Sequence, residues 1–459
     1  MPGADAQVVI LSNRGPVSFV RRDGALTAVR GAGGLVAGIA PVVAGTGATW
    51  IAAAITDGDR EAAAAGVVDA EGFRARLLAI DADTYRMAYD VVCNATLWFV
   101  YHGLFDLARR PRLDRRWREA WTAYRTLNAA FATAAAEAAP PDATVLVQDY
   151  HLALVGPMLA VARPDVRAVH FSHTPFCAPD GLRVLPRDVA AELLEGMAGH
   201  RACSFHTARW ADAFADCCRT FIGRAPATSV SALAADGAGM AAVAASPACE
   251  AAVAELDAIV GDRLMLARVD RVELSKNLLR GFHAFDDLLT HHPRWRGRVV
   301  FVAFVYPTRE GLCEYLAYRQ EVEGLVRRLN EKWATPSWTP IVLEVSDDFP
   351  RSVAALRRCD VLLVNPIRDG LNLVAKEAML VNDRDAAVVL STEAGAWDEF
   401  GAAGALPVNP FDVSDTADAL DQALSLDDSA RAQRAAALRA AVAARTPSDW
   451  LADQLAAAG

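Results

Sequence analysis

Short β-rich apolar runs alternate with longer helical patterns along almost the whole chain, and no other feature of the sequence limits the fold so strongly. An apolar run that is bounded by turn residues and followed by a helix is typical of a parallel strand buried on both faces. Repeated alternation of this kind predicts a doubly wound α/β fold. The predicted strands are Val8–Ser12, Thr49–Ala52, Arg74–Ile80, Thr144–Gln148, Arg167–Ser172, Ala202–His206, Leu264–Val269, Val299–Val305, Ile341–Val345, Val361–Asn365 and Ala387–Ser391.

The length and one break in composition predict two Rossmann-like domains. A chain of 459 residues is too long for one ordinary core, and the stretch between Arg224 and Pro247 is rich in Ala, Gly and Ser. Ligands of such sheets bind beyond the carboxyl ends of the strands, so the chemistry is expected in a cleft between two facing sheets. The predicted division is an N-terminal domain at 1–225, a linker at 226–247, a C-terminal domain at 248–430, and helices at 431–459 that pack back toward the N-terminal domain.

Charge and composition disfavour several classes of partner. The net charge is −10 and no block of five or more Lys or Arg residues occurs, which argues against nucleic acid and anionic membrane. No apolar run reaches the roughly 18 residues of a membrane span, and the N-terminus lacks the pattern of a signal peptide. The eight cysteines include no CxxC pair, so they predict reduced thiols in a cytoplasmic protein without a zinc site.

One run in the second half, Val361–Glu377, has the pattern of a strand–turn–helix that binds a ligand. At the turn Arg368-Asp369-Gly370, glycine lets a ligand approach the backbone, and free N–H groups at the helix start attract an anion. Glu377 lies seven residues beyond Gly370, about two helical turns, so a phosphate at the turn would place a ribose diol near this carboxylate. The alternative is an ordinary strand–turn–helix with a solvated Asp and Glu.

Two cations follow another predicted strand of the second half. Arg271 and Lys276 belong to the run Arg268–Asn277, at the carboxyl end of that strand. Cleavage of a nucleotide-sugar needs such charges to hold the departing diphosphate. A solvated surface loop is the alternative interpretation of this run.

Polar residues also follow strands of the first half. Arg14 comes after the first strand, and Asp149 and His173 come just after two later strands, where they are expected to face the cleft. The glycine loop at 31–35 is a weak signal because the dinucleotide-binding pattern is absent. The alternatives are that His173 is structural, as a lone histidine after a strand usually is, and that Trp98 belongs to the core.

Taken together, these runs resemble those of the trehalose-6-phosphate synthases, glycosyltransferases of the GT-B fold, from about Val8 to about Trp450. The resemblance implies an acceptor domain at 1–225 and a nucleotide-sugar domain at 248–430. It also implies a retaining transfer of glucose from a nucleotide-glucose to glucose 6-phosphate, which gives α,α-trehalose 6-phosphate without a cofactor. The resembling runs, in the order of the family, are SNRGPV, GGL, YDVVCNATLW, VQDYHL, HFSHTPF, VDRVELSK and NPIRDGLNLVAKE.

The resemblance implies a role for each matching residue, and the partners it implies are these two small-molecule substrates. No metal ligand is implied, and a homo-oligomer is left open. The residues expected in catalysis are Asp149, His173, Arg271, Lys276 and Asp369. The expected donor contacts are Gly33, Gly34, Arg271, Lys276, Asp369, Gly370, Leu371, Asn372, Leu373 and Glu377. The expected acceptor contacts are Arg14, Tyr89, Trp98, Asp149 and Arg309.

The chain departs from the family pattern in two places. Ala53 stands where the family often has a second tryptophan, so part of the acceptor wall differs. The usual proline-rich acidic stretch before the second domain is replaced by Ala235–Met240. No DxDGT phosphatase motif occurs, so the product is expected to keep its phosphate.

Two other functions remain open at this stage. One is a pseudo-glycosyltransferase that joins a nucleotide-cyclitol to an amino-cyclitol phosphate, although the relatives that do so depart from the RDGxNLVAKE run that is intact here. The other is an inactive protein that senses sugar phosphates, although degenerate relatives lose the cations that are present here as Arg14, Arg271, Lys276 and Arg309.

The nucleotide base is predicted from the residues that follow the strand Ile341–Val345. Uridine-specific relatives have a His-Phe pair where this chain has Ser346 and Asp347, followed by Asp348. Guanine presents two adjacent N–H donors on one edge, which a carboxylate accepts well, whereas it would repel the carbonyls of uracil. Asp347 is therefore a further expected donor contact, which favours GDP-glucose, with UDP-glucose as the alternative. Both aspartates could instead cap the helix that begins near Arg351.

Overall fold

The structure is a computed structural model that describes residues 8–22, 24–30 and 34–459. The chain forms two compact units. The first unit contains the residues up to Leu233 together with Pro447–Gly459, and the second contains Ala234–Thr446. Each unit is built around its own largely parallel sheet.

The first unit has an eight-stranded sheet in which only β5 and β6 pair antiparallel. The strands are β1 (Val8–Ser12), β2 (Val17–Arg22), β3 (Ala25–Arg30), β4 (Thr49–Ala53), β5 (Val67–Ala70), β6 (Phe73–Leu78), β7 (Thr144–Gln148), β8 (Arg167–Ser172), β9 (Ala202–Phe205) and β10 (Thr228–Val230). The order is β10-β9-β8-β7-β1-β4-β6-β5, and β2 and β3 form a separate hairpin. Strand order reverses between β1 and β7, which is where ligands bind in sheets of this kind.

Helices on the sheet bury apolar strands such as β1, β4 and β7 completely. The helices are α1 (Gly34–Val43), α2 (Asp57–Ala63), α3 (Ala82–Arg86), α4 (Trp98–His102), α5 (Arg115–Ala138), α6 (Val155–Ala162), α7 (Pro179–Leu182), α8 (Arg187–Ala198) and α9 (Ala208–Ile222). A π-helix, Met87–Leu97, joins α3 to α4.

The second unit has a six-stranded, wholly parallel sheet in the order β13-β12-β11-β14-β15-β16. Numbered within this unit, the order is the 3-2-1-4-5-6 of a Rossmann sheet, whose topological switch point lies between β11 and β14. The strands are β11 (Leu264–Arg271), β12 (Val299–Tyr306), β13 (Ile341–Val345), β14 (Val361–Val364), β15 (Ala387–Ser391) and β16 (Leu406–Val408). The helices are α10 (Gly237–Ala244), α11 (Pro247–Val260), α12 (Leu278–His291), α13 (Cys313–Trp333), α14 (Phe349–Arg358), α15 (Leu373–Val381), α16 (Trp397–Ala403), α17 (Val413–Leu424) and α18 (Asp428–Ala443).

The last helix, α19 (Pro447–Ala458), is part of the first unit, although it follows the second unit in sequence. Trp450 is wholly buried there against Phe171 of β8, with the ring centroids 5.0 Å apart. Ser231 also donates a hydrogen bond of 2.8 Å to Asp453 of this helix. Of the C-terminal block expected at 431–459, α18 thus belongs to the second unit and α19 to the first.

Every strand predicted from the sequence forms a strand of one of the two sheets, with ends that differ by at most two residues. The pattern did not predict β2, β3, β5, β10 or β16. The residues expected as a linker, 226–247, contain β10 and α10, and the boundary between the units falls after Leu233. Among the residues described, no helix has the length and apolar character needed to span a membrane.

Candidate active site

The switch point of the second unit carries a buried cation between two carboxylates. Lys276 ends a 3-10 turn after β11, and its Nζ lies 2.6 Å from Asp369 Oδ2 and 3.9 Å from Asp270 Oδ1. Burial lowers the pKa of Lys276, but Asp369 and Asp270 outweigh it and leave the pKa above its usual value. The ammonium group is therefore held charged at the carboxyl edge of the sheet.

A fully buried arginine supports this lysine from inside the unit. Arg268 Nε donates to Asp270 Oδ2 at 2.9 Å, and its Nη2 donates to Asn365 Oδ1 at 2.7 Å and to the carbonyl of Lys276. A Cβ atom on Gly281 would lie 2.2 Å from Arg268 Nη1, so glycine leaves the space that this guanidinium occupies. Arg268 thus fixes the carboxylate and the backbone on which Lys276 depends.

The turn after β14 is held in place by backbone contacts. Asp369 pairs with Ala394 in an isolated bridge and accepts a hydrogen bond of 3.1 Å from Asn372 Nδ2. Asn372 has a φ of 78° and caps α15 through its side chain, which accepts from Ala375 N at 3.3 Å. The helix therefore begins at Leu373 rather than directly at Gly370. This geometry presents Asp369 and the backbone of 370–373 at the end of the strand.

Glu377 lies about one turn into α15 and is partly buried. Burial raises its pKa to about 7, although the charge of Lys276 acts in the opposite direction. The neighbouring Lys376 serves a different purpose, because its buried Nζ pairs with Glu399 at 2.7 Å. Glu377 is thus a carboxyl group near its titration point at neutral pH, on the same helix that Asn372 caps.

Arg271 and Arg309 lie in the same unit and share a buried carboxylate. Arg271 Nε is 3.0 Å from Glu273 Oε2, and Arg309 Nη1 is 3.6 Å from the same oxygen. The pKa of Arg271 is raised, chiefly by Glu273. Arg309 follows β12 with a φ of 50°, and its guanidinium donates to the hydroxyl of Tyr315.

The two aspartates after β13 differ in their contacts. Asp348 caps α14 by accepting a hydrogen bond of 3.0 Å from Arg351 N, so the capping interpretation is confirmed for this residue. Asp347 is exposed. Phe304 of β12 is buried beneath the guanidinium of Arg351, which lies 5.1 Å from the ring centroid.

In the first unit, Asp149 follows β7 with a strained backbone of φ 68° and ψ 171°. Its N–H donates to Phe171 O at 2.7 Å, and its Oδ1 accepts from the backbone N–H of His173 at 3.2 Å. Such conformations persist where surrounding contacts enforce them, often at functional sites. The structure thus brings Asp149 and His173 together at the carboxyl ends of β7 and β8.

His173 is held as a neutral ring with its proton on Nε2. Burial lowers its pKa to about 3. Nε2 lies 2.9 Å from Gln148 Oε1, and because an amide oxygen only accepts, Nε2 is the donor. The ring centroid lies 5.3 Å from that of His206 and 6.3 Å from that of Trp450. The opposite nitrogen, Nδ1, therefore carries a lone pair.

The remaining residues expected at the acceptor differ in exposure. Arg14 is exposed after β1. Tyr89 lies on the π-helix, stacked between Tyr85 at 5.3 Å and His151 at 5.7 Å between ring centroids. Trp98 is only 1% exposed and stacks on His102 at 4.2 Å, so its position agrees with the core interpretation and leaves almost no surface for a sugar.

Two expectations fall on the glycine loop. Gly33 lies outside the residues that the structure describes, and Gly34 is the first residue of α1.

Seven of the eight cysteines are buried, and Cys313 is exposed. Within residues 8–22, 24–30 and 34–459, His, Cys, Asp and Glu side chains form no group of three or more that could hold a metal ion.

Sequence reasoning missed four residues that shape these sites. Arg268 and Glu273 stand inside the run that named Arg271 and Lys276, and their near-complete burial was the missing information. Gln148 directly precedes Asp149, so the VQDYHL run could have identified it. Trp450 gave no signal, because it comes from a helix far away in sequence.

Comparison with known proteins places the whole chain in one family. It matches glycosyltransferase family 20 over residues 6–458. It is 31% identical to a trehalose-6-phosphate synthase of Mycolicibacterium smegmatis, over 98% of this chain and 92% of that protein. It is also 32% identical to a bifunctional trehalose-6-phosphate synthase/phosphatase of Thermoproteus tenax, over 79% of this chain, and this match spans half the length of that protein.

A solved structure of similar fold supports the same assignment. The UDP-forming α,α-trehalose-phosphate synthase of Burkholderia xenovorans, in complex with glucose 6-phosphate, superposes with a TM-score of 0.86 at 28% identity, over 98% of this chain and 99% of that one. The expected GT-B class of fold, with two units built on parallel sheets, is confirmed. The chain belongs to glycosyltransferase family 20.

Proposed function

We propose that this protein is a retaining glycosyltransferase that transfers glucose from a nucleotide-glucose to glucose 6-phosphate and releases α,α-trehalose 6-phosphate. The observation that carries the proposal is the charged Lys276, 2.6 Å from Asp369 at the switch point of a Rossmann sheet, with Arg271 on the same strand end. The names of the relatives in Mycolicibacterium smegmatis and Burkholderia xenovorans support the same activity.

The second unit is assigned to the donor. Arg271 and Lys276 stabilise the negative charge that develops on the departing diphosphate, as preorganised cations do most effectively where the charge grows. Asp369 and the backbone of Gly370, Leu371, Asn372 and Leu373 hold the transferred glucose. Glu377 accepts hydrogen bonds from the ribose hydroxyls.

The first unit supplies most of the contacts to the acceptor. Arg14 and Tyr89 are assigned to the acceptor phosphate, and so is Arg309. Asp149, whose carboxylate accepts from the backbone of His173, contacts sugar hydroxyls. His173 donates through Nε2 to Gln148, so its Nδ1 lone pair is placed to accept a hydrogen bond from a sugar hydroxyl. Because Trp98 is buried, it supports the acceptor site from the core rather than by direct contact with the sugar.

Retention is proposed to follow a front-face route. A double displacement would need a carboxylate nucleophile at the anomeric carbon. Asp369 suits that role poorly, because it pairs with Lys276 at 2.6 Å and accepts from Asn372 at 3.1 Å. The leaving diphosphate instead takes the proton of the acceptor hydroxyl as the anomeric bond breaks, and catalysis rests on positioning and electrostatics.

The favoured donor is GDP-glucose. Asp348 is engaged as a helix cap, whereas Asp347 is exposed just beyond the end of β13 and offers a carboxylate to the two adjacent donors of guanine. Uracil would instead turn its carbonyl oxygens toward this carboxylate, so the two bases should be discriminated. The relative from Burkholderia xenovorans is UDP-forming. We expect this protein to differ from it in base preference because of the Asp347 carboxylate.

Initial rates with GDP-, UDP- and ADP-glucose at equal concentration, each with glucose 6-phosphate and with glucose, test the proposal. We expect trehalose 6-phosphate to form fastest from GDP-glucose and to require the phosphorylated acceptor. In Asp347→Asn the preference for GDP-glucose should fall, while Asp348→Asn serves as the matched control. Equal or faster turnover of UDP-glucose contradicts the base assignment, and substrate binding without any transfer contradicts the activity.

A further inference from the structure

Glu273 is a nearly buried carboxylate at the point where two arginines of the second unit meet. Its side chain is 2% exposed. One oxygen, Oε2, lies 3.0 Å from Arg271 Nε and 3.6 Å from Arg309 Nη1, while Oε1 accepts from Ser275 Oγ at 3.1 Å. A single side chain thus contacts one cation at the end of β11 and another in the segment that follows β12.

Glu273 and its surroundings hold the two arginines in different ways. Among the described residues, Arg271 Nε has no aligned hydrogen-bond acceptor, although Glu273 Oε2 is only 3.0 Å away. Charge rather than a directed hydrogen bond therefore holds this nitrogen, while Arg271 Nη2 donates to Glu273 Oε1 at 3.4 Å. Arg309 is fixed differently, because its guanidinium also donates to the hydroxyl of Tyr315 and lies over that ring, 5.4 Å from the centroid.

Without Glu273, the two guanidinium groups would repel each other at the edge of the sheet. Like charges in a partly dry site interact strongly, and long arginine side chains lose considerable rotamer freedom when a ligand must order them. A buried carboxylate between the two cations removes the repulsion and orders both side chains before any ligand arrives. Preorganisation of this kind lowers the cost of binding.

We propose that Glu273 is a positioning residue that holds Arg271 and Arg309 as a preordered pair, one for the donor diphosphate and one for the acceptor phosphate. This inference rests on the proposed function, which assigns those two roles. It means that one carboxylate sets the geometry for both substrates. Its loss is therefore expected to weaken recognition of phosphate groups specifically, rather than activity in general.

The main variant is Glu273→Gln, which keeps the shape and can still accept from Ser275 but loses the charge. At saturating nucleotide-glucose, we expect KM for glucose 6-phosphate to rise about tenfold, while KM for unphosphorylated glucose changes by less than about twofold. In an Arg309→Ala background, Glu273→Gln should raise KM no further, because the two residues act through one contact. Glu273→Asp keeps the charge at shorter reach and should lie between wild type and Glu273→Gln.

Asp360→Asn is the matched control. Asp360 is also a buried carboxylate between two arginines of this unit, 3.3 Å from Arg358 Nη1 and 3.1 Å from Arg384 Nε, but it precedes β14 at the opposite end of the strand. Its substitution should lower the thermal midpoint without changing KM for glucose 6-phosphate. If Glu273→Gln folds too poorly to assay, Ser275→Ala loosens the same carboxylate and should raise this KM about two- to threefold.

Two results would overturn the inference. One is an equal rise in KM for glucose and glucose 6-phosphate at saturating donor, and the other is an effect of Glu273→Gln on KM that adds fully to that of Arg309→Ala. A wild-type protein that makes no trehalose 6-phosphate would instead contradict the proposed function. In that case, calorimetry with GDP and UDP alone tests the inference. Glu273→Gln should bind both nucleotides more weakly, and an unchanged affinity would refute the inference.

Discussion

The two units present opposite chemistry at the carboxyl ends of their sheets. In the second unit, Lys276 lies 2.6 Å from Asp369 within a network of alternating cations and carboxylates. In the first unit, a neutral His173 contacts Gln148 and is surrounded by aromatic rings such as those of His206 and Trp450. The charged region suits a leaving diphosphate, and the neutral region suits the hydroxyl groups of a sugar.

The difference shows that burial alone does not decide the charge of a group. Burial by itself would lower the pKa of both Lys276 and His173. Lys276 gains Asp369 and Asp270 as partners and ends above its usual pKa, whereas the ring of His173 contacts an uncharged amide and its pKa falls to about 3. The presence of a buried carboxylate partner is therefore what separates the two regions.

The largest expected effect comes from removing the Lys276 ammonium group from the charged region. Lys276→Ala should lower kcat by about 10²–10³, the usual cost of losing one preorganised group that stabilises developing charge. Steady-state kinetics measure it, with circular dichroism to check the fold. Lys332→Ala is the control, because Lys332 pairs with Asp286 at 2.7 Å on the surface of the same unit. A fully active Lys276→Ala enzyme would contradict the assignment of Lys276 to the departing diphosphate.

A smaller effect concerns the titration of Glu377. Its pKa of about 7 lies above the ordinary value of 4.5, so the carboxyl is mostly protonated at pH 6 and mostly ionised at pH 8. Only the ionised form accepts hydrogen bonds from both ribose hydroxyls with full strength, so nucleoside diphosphate affinity should rise over this range.

Glu377→Gln sharpens this prediction. We expect the variant to bind GDP about tenfold more weakly at pH 8 and to lose most of the pH dependence, as calorimetry across pH 6–8 would measure. Glu331→Gln, on the exposed surface of α13, is the control. The same pH profile in wild type and Glu377→Gln would show that another group is responsible.

The smallest expected effect concerns the neutral region and appears in stability. Burial holds the pKa of His173 at about 3, whereas the unfolded chain binds this proton near pH 6.5. The unfolded state therefore binds more protons as the pH falls below 6.5, and stability is lost in that direction. Between pH 6.5 and 5.5 the loss from one such histidine is about 1 kcal/mol.

Denaturant unfolding at these two pH values measures this loss. His173→Gln should reduce the pH-dependent part of the free energy of unfolding by about 1 kcal/mol. His170 and His200, whose pKa values burial also lowers, should keep part of the dependence in that variant. A wild-type protein that becomes more stable from pH 6.5 to 5.5 would contradict the assignment of a neutral ring.

The fold was largely predictable because buried parallel strands give continuous apolar runs. Strands at the margins were not predicted. Strand β5 pairs antiparallel at an edge with alternating exposure, and the hairpin strand β2 is interrupted by polar residues. The candidate site was predictable where a motif places residues at a strand end, as for Lys276 and Asp369.

Contacts between distant parts of the sequence were not predictable. The run containing Arg271 does not reveal that Glu273 also approaches Arg309, because that contact depends on the pairing of β11 with β12. The packing of Trp450 near His173 depends on the return of α19 to the first unit. Burial and long-range packing decide both, and neither leaves a local pattern.

The most direct test of the account is the anomeric configuration of the product. Nucleotide-α-glucose and [1-¹³C]glucose 6-phosphate are incubated with the protein, and the linkage is read from the carbon–proton couplings of the new disaccharide phosphate by NMR. We expect an α,α-1,1-linked product, in which the donor carbon keeps its configuration and the acceptor keeps its phosphate. An inverted linkage, or the absence of a phosphorylated disaccharide, would contradict it.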